Sequence, residues 1–276
     1  MKANKVNLFV IGVNKAGSSW LYYLLNEHPE IHMSEIKELY YFDEKYPEEL
    51  DEYHTNFPLE KDYKYFGEAT PTYYRKRSTA QNIKKYSPEA KVLAIIRDPI
   101  QRLRSQFYYH KQLGIIPEKT SLEEAIEDKD SHLIQDSHYE KTLPKFQEVF
   151  GSNFKVLSLE HSIDNTDEVW EELQDFLGLM VIDLPELSRK SENATGSSLF
   201  RKIYKFTIRP IKKRSPKLYK KLLQMKTMRK SKKTLLKILG KADKKEISEE
   251  LYAKLEQEFL QTYQYLQKLG FEKAYK

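Results

Sequence analysis

The sequence contains no cysteine and no long apolar run. Without cysteine among its 276 residues, the chain can form neither a disulfide framework nor a thiolate metal site. A membrane-spanning helix needs about 20 consecutive apolar residues, and no such run occurs. Residues 1–5 lead directly into a strand pattern without the apolar region of a signal peptide. We therefore expect a protein of a reducing compartment, the cytoplasm.

Charge is plentiful but unevenly distributed. Charged residues make up 32% of the chain, hydrophobic residues 39%, and the net charge is +6. Residues 211–245 contain 15 Lys and Arg against one acid, so the rest of the chain is net acidic. Such a segment suits a polyanion or an anionic membrane surface, although a solvated pair of lysine-rich surface helices gives the same pattern. We expect a single domain over residues 1–276, with a basic helical subregion at about 203–245.

The pattern at the start of the chain is strand, glycine turn, helix. Leu8 to Ile11 is a continuous apolar run, which is typical of a strand buried on both faces. A turn follows with a glycine at each end, Gly12 and Gly17, and apolar residues recur at helical spacing from Ser18 onward. In this arrangement free backbone N–H groups and the positive end of a helix face one anion, so we predict a phosphate-binding loop.

The lysine of this loop is displaced from its position in nucleoside-triphosphate loops. Those loops place lysine directly before their Ser or Thr, where it reaches the β- and γ-phosphates and the hydroxyl holds Mg²⁺. Here Ser18 follows Gly17 directly, and the lysine is Lys15, inside the turn. A P-loop nucleotide kinase is therefore an alternative reading that lacks one of its required groups, and we expect no metal.

Further strands and helices alternate along the chain, which predicts an α/β fold with a parallel central sheet and helices on both faces. We place the later strands at Tyr63–Glu68, Lys91–Ile96 and Phe154–Leu159. We place helices at Ser78–Tyr86, from Pro99 onward, at Thr166–Leu177 and at Ile247–Leu269.

A second anion site is predicted where the Lys91–Ile96 strand ends. Arg97 stands at the carboxyl end of this strand, where open α/β sheets bind ligands. Asp98 and Pro99 then start a helix as N-cap and first residue. Ser105 lies about six residues into that helix, a rise of ~9 Å. Arg97 and Ser105 could therefore share one phosphate.

These two motifs resemble those of the sulfotransferases. The 5′-phosphosulfate loop of that family is similar to Lys15-Ala16-Gly17-Ser18-Ser19-Trp20, and its 3′-phosphate motif resembles the Arg97-x7-Ser105 pair. The resemblance implies a sulfuryl donor with both a 5′- and a 3′-phosphate, 3′-phosphoadenylyl sulfate (PAPS). It implies that residues 15–19 hold the 5′-phosphate and that Trp20 packs on the adenine.

The same resemblance implies roles for residues farther along the chain. Glu38, in a Lys-Glu-x-x-aromatic-aromatic segment, corresponds to the general base of the glycan enzymes. His110, in the turn after Ser105, is the alternative base. Tyr139 corresponds to a tyrosine near the 3′-phosphate, with core packing an equally good role. Ser198 and Arg201 correspond to a loop that closes over the nucleotide.

The acceptor is less clearly indicated. The family has a Glu-Lys-Thr/Ser-Pro-x-Tyr loop on the acceptor side, and here Ala69 replaces its lysine, which leaves open how the acceptor is held. The expected acceptor is a hydroxyl or amine, with an anionic polysaccharide as the partner that would explain residues 211–245. We expect no nucleic-acid partner, and peripheral membrane contact remains open. A non-enzymatic polyanion- or membrane-binding module is the second alternative, but it leaves both anion motifs unexplained.

Overall fold

A computed structural model of the protein describes residues 5–128, 132–185 and 246–271. The chain divides into two compact units. Within the described residues, the first unit comprises 5–102, 135–185 and 255–271, and the second comprises 103–128, 132–134 and 246–254. No helix within these ranges is both long and apolar enough to span a bilayer.

The first unit is built on a parallel sheet of five strands in the order β2-β3-β1-β4-β5. The parallel α/β prediction is therefore confirmed. After β1 the chain forms two strands on one side of it and then crosses to form two on the other, so the strand order reverses beside β1. The strands are β1 (Leu8–Gly12), β2 (Ile31–Met33), β3 (Tyr65–Ala69), β4 (Lys91–Ile96) and β5 (Phe154–Ser158).

Helices follow most of the strands. In chain order they are α1 (Ser18–Asn26), α2 (Tyr41–Glu44), α3 (Leu50–His54), α4 (Arg77–Tyr86), α5 (Pro99–Leu113), α6 (Leu122–Glu127), α7 (Tyr139–Thr142), α8 (Pro144–Phe150), α9 (Leu159–Asp164), α10 (Thr166–Leu177), α11 (Glu249–Glu258) and α12 (Leu260–Lys268). The predicted bounds of β4 and α10 match the structure.

The central strand β1 is buried on both faces, as its apolar run predicts. Phe9 and Ile11 pack into a cluster with apolar residues of α4 and α8. Leu8 and Val10 point the other way and pack with residues of α1 and α10. Because side chains alternate along a strand, one short run joins both hydrophobic layers, and helices cover both faces of the sheet.

The sequence analysis missed one strand, and one of its predicted helices needs correction. Strand β2 was not predicted, because three residues are too few to show a two-residue period. The last helix was predicted as continuous over Ile247–Leu269, but it divides into α11 and α12 at Phe259, where φ is −94° and ψ is 14°. The α-helical hydrogen bonds from Phe259 N–H to Leu255 and from Tyr263 N–H to Phe259 persist across this point, so the division is a local bend.

The second unit has its own local supports. Ser121 caps α6 through a capping box, in which its hydroxyl accepts from Glu124 N–H at 3.1 Å and Glu124 Oε2 accepts from Ser121 N–H at 2.8 Å. On α5, His110 Nε2 lies 2.6 Å from Gln106 Nε2, one helical turn away.

A buried carboxyl group lies at the end of β3. Glu68 is 1% exposed. The hydroxyls of Tyr53 and Tyr73 donate to its Oε1 at 3.0 and 3.2 Å, and that of Thr70 donates to Oε2 at 3.3 Å. Burial raises the pKa of Glu68 from 4.5 to about 8, against the hydroxyl bonds, which lower it. The folded chain therefore keeps a proton here that the unfolded chain releases.

Replacing Glu68 with Gln should flatten the pH dependence of stability. Because folding takes up a proton between pH 4.5 and about 8, the free energy of unfolding falls as pH rises through this window, by at most about 1.4 kcal/mol per pH unit for one proton. Urea unfolding of the wild type and the Glu68→Gln variant across this range measures both slopes. Exposed Glu89→Gln is the control. Equal slopes in all three proteins would contradict the buried proton.

Candidate active site

Several of the predicted site residues of the first unit lie in the segments that follow sheet strands. Since all five strands are parallel, their carboxyl ends lie at the same edge, where ligands bind in open α/β sheets. Residues 13–17 follow β1, 34–38 follow β2, 70–72 follow β3, 97–98 follow β4 and 159–160 follow β5. The topology therefore brings the loop with Lys15, the segment with Glu38 and the turn with Arg97 to one edge.

The glycine loop is fixed against the neighbouring strand. Val13 N–H donates to the carbonyl of Ile95 on β4 at 2.7 Å, and Ala16 N–H donates to Val13 at 3.1 Å, which closes the turn. Lys15 has a left-handed backbone with φ of 70°. Such a conformation costs a non-glycine residue free energy and is frequent at ligand sites.

The loop delivers the amino end of α1 without a side-chain cap. Gly17 is the N-cap in a left-handed conformation, with φ of 103°. The first hydrogen bond of the helix runs from Leu21 N–H to Gly17 at 3.1 Å, so the amides of Ser18 and Ser19 have no acceptor within the helix. Together with the positive end of the helix dipole, these amides form the anion site that the sequence predicts.

Gly12 is required by close approach of the backbone. Its φ is 142°, and a Cβ placed there would lie 2.7 Å from Tyr74 Cδ1 and 2.8 Å from the carbonyl oxygen of Pro71. The loop after β1 is therefore packed against the loop after β3 at a distance that only glycine permits.

Strand β2 places two charged residues at the same edge. Glu38 is exposed and left-handed, with φ of 65°; its N–H donates to Ala69 at 2.9 Å and its Oε2 accepts from the Tyr40 hydroxyl at 2.9 Å. Lys37 points to the glycine loop, and its Nζ donates to Ser19 Oγ at 2.6 Å. Sequence reasoning singled out Glu38 but missed Lys37, although the Lys-Glu pair was the available signal.

Arg97 stands beside a carboxylate that sequence reasoning also missed. Its Nε is buried, without a hydrogen-bond partner in the described part of the chain, and lies 3.6 Å from Glu160 Oε1. The predicted start of α5 is confirmed, because Asp98 Oδ1 accepts from Gln101 N–H at 2.7 Å and Pro99 is the first helical residue.

Two carboxyl groups near Arg97 are partly desolvated. Burial raises the pKa of Asp98 and of Glu160, while backbone hydrogen bonds and the Arg97 charge lower both. Asp98 also accepts from the Tyr263 hydroxyl at 2.9 Å, which ties this turn to α12. Among the described residues, the ion pair of the Arg97 guanidinium with Glu160 is thus loose, at 3.6 Å.

The remaining predicted residues fall into four groups. Tyr139 is fully buried, and its hydroxyl donates to the Arg97 carbonyl at 2.8 Å, so its packing role also supports the Arg97 backbone. Trp20 is half-buried against the layer formed with α1 and α10. Ser105 and His110 lie on α5 in the second unit; Ser105 is buried, and His110 follows it within the same helix. Ser198, Arg201 and residues 211–245 lie outside the described residues.

The family model of the sulfotransferase domain matches residues 5–269. The chain belongs to this family. It is 36% identical over 110 residues to the membrane-associated sulfotransferase kil1 of Dictyostelium discoideum, covering 38% of this chain and 23% of that protein. It is 28% identical over 185 residues to human heparan sulfate glucosamine 3-O-sulfotransferase 3B1, covering 62% of this chain and 45% of that protein. The chain thus aligns with less than half the length of either relative.

Solved structures support the fold. A sulfotransferase from Alicyclobacillus acidocaldarius superimposes with a TM-score of 0.61 at 24% identity, covering 68% of this chain and 87% of that one. The sulfotransferase domain of an olefin synthase from Synechococcus PCC 7002 gives a TM-score of 0.50 at 15% identity, covering 70% and 80%. At these identities the likeness concerns the fold alone.

Replacing Gly12 with Ala should destabilise the protein more than a similar change at an open position. A side chain at positive φ costs about 1–3 kcal/mol, and at Gly12 the added methyl also meets Pro71 and Tyr74. Gly151→Ala is the matched control, because Gly151 also has positive φ, +53°, but nothing lies within 4 Å of its Cβ position. We expect Gly12→Ala to cost about 1–3 kcal/mol more, from overpacking. Equal melting temperatures would contradict the close approach.

Proposed function

We propose that this chain transfers the sulfuryl group of PAPS to a hydroxyl or amine of an acceptor of the glycan class. Family membership supports the reaction class, and the edge of the sheet supports the donor. The single observation that carries the proposal is the hydrogen bond from Val13 to Ile95, because it sets the glycine loop of β1 beside the β4 strand that ends at Arg97.

The first anion site fits a 5′-phosphosulfate. The amides of Ser18 and Ser19 point out of the uncapped first turn of α1, and Gly12 lets the loop approach its neighbours closely. Lys15 is the cation within the loop. When bound, PAPS supplies the sulfuryl group and the 5′-phosphate that departs from it.

The second anion site fits a 3′-phosphate. Arg97 carries a buried Nε with no hydrogen bond in the described residues, and Glu160 lies too far, at 3.6 Å, to accept one. A phosphate oxygen would satisfy this donor. Sharing of the phosphate with Ser105 remains a prediction from the sequence.

The chemistry divides among the residues at this edge. The Glu38 carboxylate takes the acceptor proton as the acceptor oxygen or nitrogen bonds to sulfur and the bond from sulfur to the 5′-phosphate oxygen breaks. Lys15 stabilises the negative charge that develops on that oxygen. Removing one group that stabilises transition-state charge in this way typically lowers kcat by about 10²–10³-fold. Glu38 is exposed, hydrogen-bonded to Tyr40, and so accessible to an incoming acceptor. His110 is the alternative base.

Removing the Arg97 side chain should weaken the binding of ligands that carry a 3′-phosphate. We expect Arg97→Ala to weaken adenosine 3′,5′-bisphosphate about 10- to 100-fold, the value of a charged hydrogen bond, and adenosine 5′-phosphosulfate about twofold at most, since that ligand lacks the 3′-phosphate. Isothermal titration with both ligands measures the difference.

The matched control is Arg77→Ala. Arg77 is an exposed arginine of α4 paired with Glu148, so both ligands should bind this variant as they bind the wild type. Equal losses for the two ligands in Arg97→Ala would make Arg97 structural. Tighter binding of ATP with Mg²⁺ than of the bisphosphate by the wild type would instead favour the kinase.

The acceptor side of the proposal rests on the charge of residues 211–245. A repeating anionic acceptor would release counterions on contact with Lys and Arg, and such binding weakens as salt rises. Replacing Lys212, Lys213 and Arg214 with Gln should raise the acceptor KM severalfold and leave the PAPS KM unchanged. Steady-state kinetics with sulfated and uronic polysaccharides at two salt concentrations measures both constants.

A charge-preserving variant controls for side-chain identity. Lys212→Arg with Lys213→Arg keeps the charge of the segment and should keep the wild-type acceptor KM. An acceptor KM that changes with neither the Gln substitutions nor the salt concentration would contradict the proposal of an anionic polysaccharide acceptor. Loss of co-sedimentation with anionic liposomes in the Gln variant would then assign the segment to a membrane surface.

A further inference from the structure

A second lysine lies against the glycine loop. Lys37 Nζ donates to Ser19 Oγ at 2.6 Å and stands 5.3 Å from the centroid of the Tyr22 ring. Ser19 is the second residue of α1, and its amide is one of those without an acceptor in the helix. Within residues 5–128, 132–185 and 246–271, no carboxylate forms a salt bridge with Lys37.

This position is unfavourable for a cation unless an anion joins it. The first turn of α1 carries the positive end of the helix dipole, which favours negative charge. Burial lowers the pKa of Lys37 to about 8, and the neighbouring Glu38 charge raises it only in part. Glu38 itself is engaged with Tyr40. The free protein therefore keeps a desolvated ammonium group at the positive end of a helix.

The backbone around Lys37 is fixed on both sides. Before it, the Ser34 N–H donates to Gly67 at 2.7 Å, and the Ser34 carbonyl accepts from the Tyr22 hydroxyl at 2.6 Å. After it, Glu38 N–H donates to Ala69 and Leu39 N–H donates to Thr70 Oγ1 at 3.1 Å. The direction of the side chain is thus set by the ends of β2 and β3 and by α1.

We propose that Lys37 is a second lysine of the phosphosulfate site, whose ammonium group binds the 5′-phosphosulfate oxygens of the donor together with the Ser19 hydroxyl and Lys15. The proposal rests on the proposed function and adds a residue to its donor site. In the free protein Ser19 holds this ammonium group, and the bound anion neutralises it.

Donor binding should then be coupled to protonation of Lys37. Among the described residues, Lys37 lies against the Ser19 hydroxyl and the Tyr22 ring from α1 and near the Glu38 carboxylate of its own segment. An added anion favours the charged ammonium. Above a pH of about 8 part of the free protein carries a neutral Lys37, so binding must take up a fraction of a proton.

Isothermal titration with adenosine 3′,5′-bisphosphate tests this coupling, because titrations in two buffers of different ionisation enthalpy count the protons taken up. Just above pH 8 the wild type should take up a fraction of a proton. Lys37→Met should lose this uptake and bind the ligand about 10- to 100-fold more weakly, the value of a charged hydrogen bond. Lys37→Arg should also lose the uptake, because arginine stays charged, but keep the affinity within a few-fold.

Lys64→Met is the matched control, since Lys64 donates to the Gly178 carbonyl at the opposite, amino end of β3. This variant should keep both the affinity and the proton uptake of the wild type.

Wild-type affinity and proton uptake in folded Lys37→Met would overturn the role of Lys37 alone. Weak binding by both Lys37 variants with the uptake retained would make Lys37 structural. Failure of the wild type to bind the bisphosphate would overturn the proposed function and this inference with it.

Discussion

The hydrogen bond from Val13 N–H to Ile95 determines how the candidate site is assembled. It lies just beyond the point where the register between β1 and β4 shifts, and it directs the chain away from β1 into the glycine loop. Ile95 is two residues before Arg97. This one hydrogen bond therefore fixes where the glycine loop begins and places that loop beside the turn that carries Arg97. The close packing of Gly12 on Pro71 then fixes the same loop from the other side.

Among the described residues, neither Lys37 nor Arg97 at this edge forms a tight ion pair. Arg97 lies 3.6 Å from Glu160, Lys37 donates to a serine hydroxyl, and buried Glu68 favours its protonated form through burial. Cations left without a tight carboxylate partner at the carboxyl ends of parallel strands favour binding of an anionic ligand. A tightly paired arginine, such as Arg75 with Asp136 at 2.6 Å, would have to give up its partner first.

Much of this arrangement follows from local sequence, and some of it does not. The loop from Gly12 to Gly17 and the turn at Arg97 were predictable because glycine, N-cap and buried-strand signals act within a few residues. Lys37 was missed because its role depends on β2, whose three residues pair with β3 rather than showing a pattern of their own. Glu160 was missed because only the pairing of β4 with β5 brings it to Arg97. It is 62 residues away along the chain from Asp98, whose N–H donates to its carboxylate.

The loop after β3 differs in kind from the glycine loop after β1. Ala69 occupies the position at which the similar loop of the sulfotransferase family has lysine. Ala69 is fully buried and contributes no charge. Its neighbours present hydroxyls instead, including Thr72, which donates to Asp43 at 3.1 Å. Burial raises the pKa of Asp43, while its hydrogen bond with Thr72 and the nearby Lys76 and Arg75 charges lower it. If the acceptor is an anionic glycan, as proposed, its charge must be met elsewhere in the chain, and residues 211–245 hold the largest excess of positive charge in the sequence.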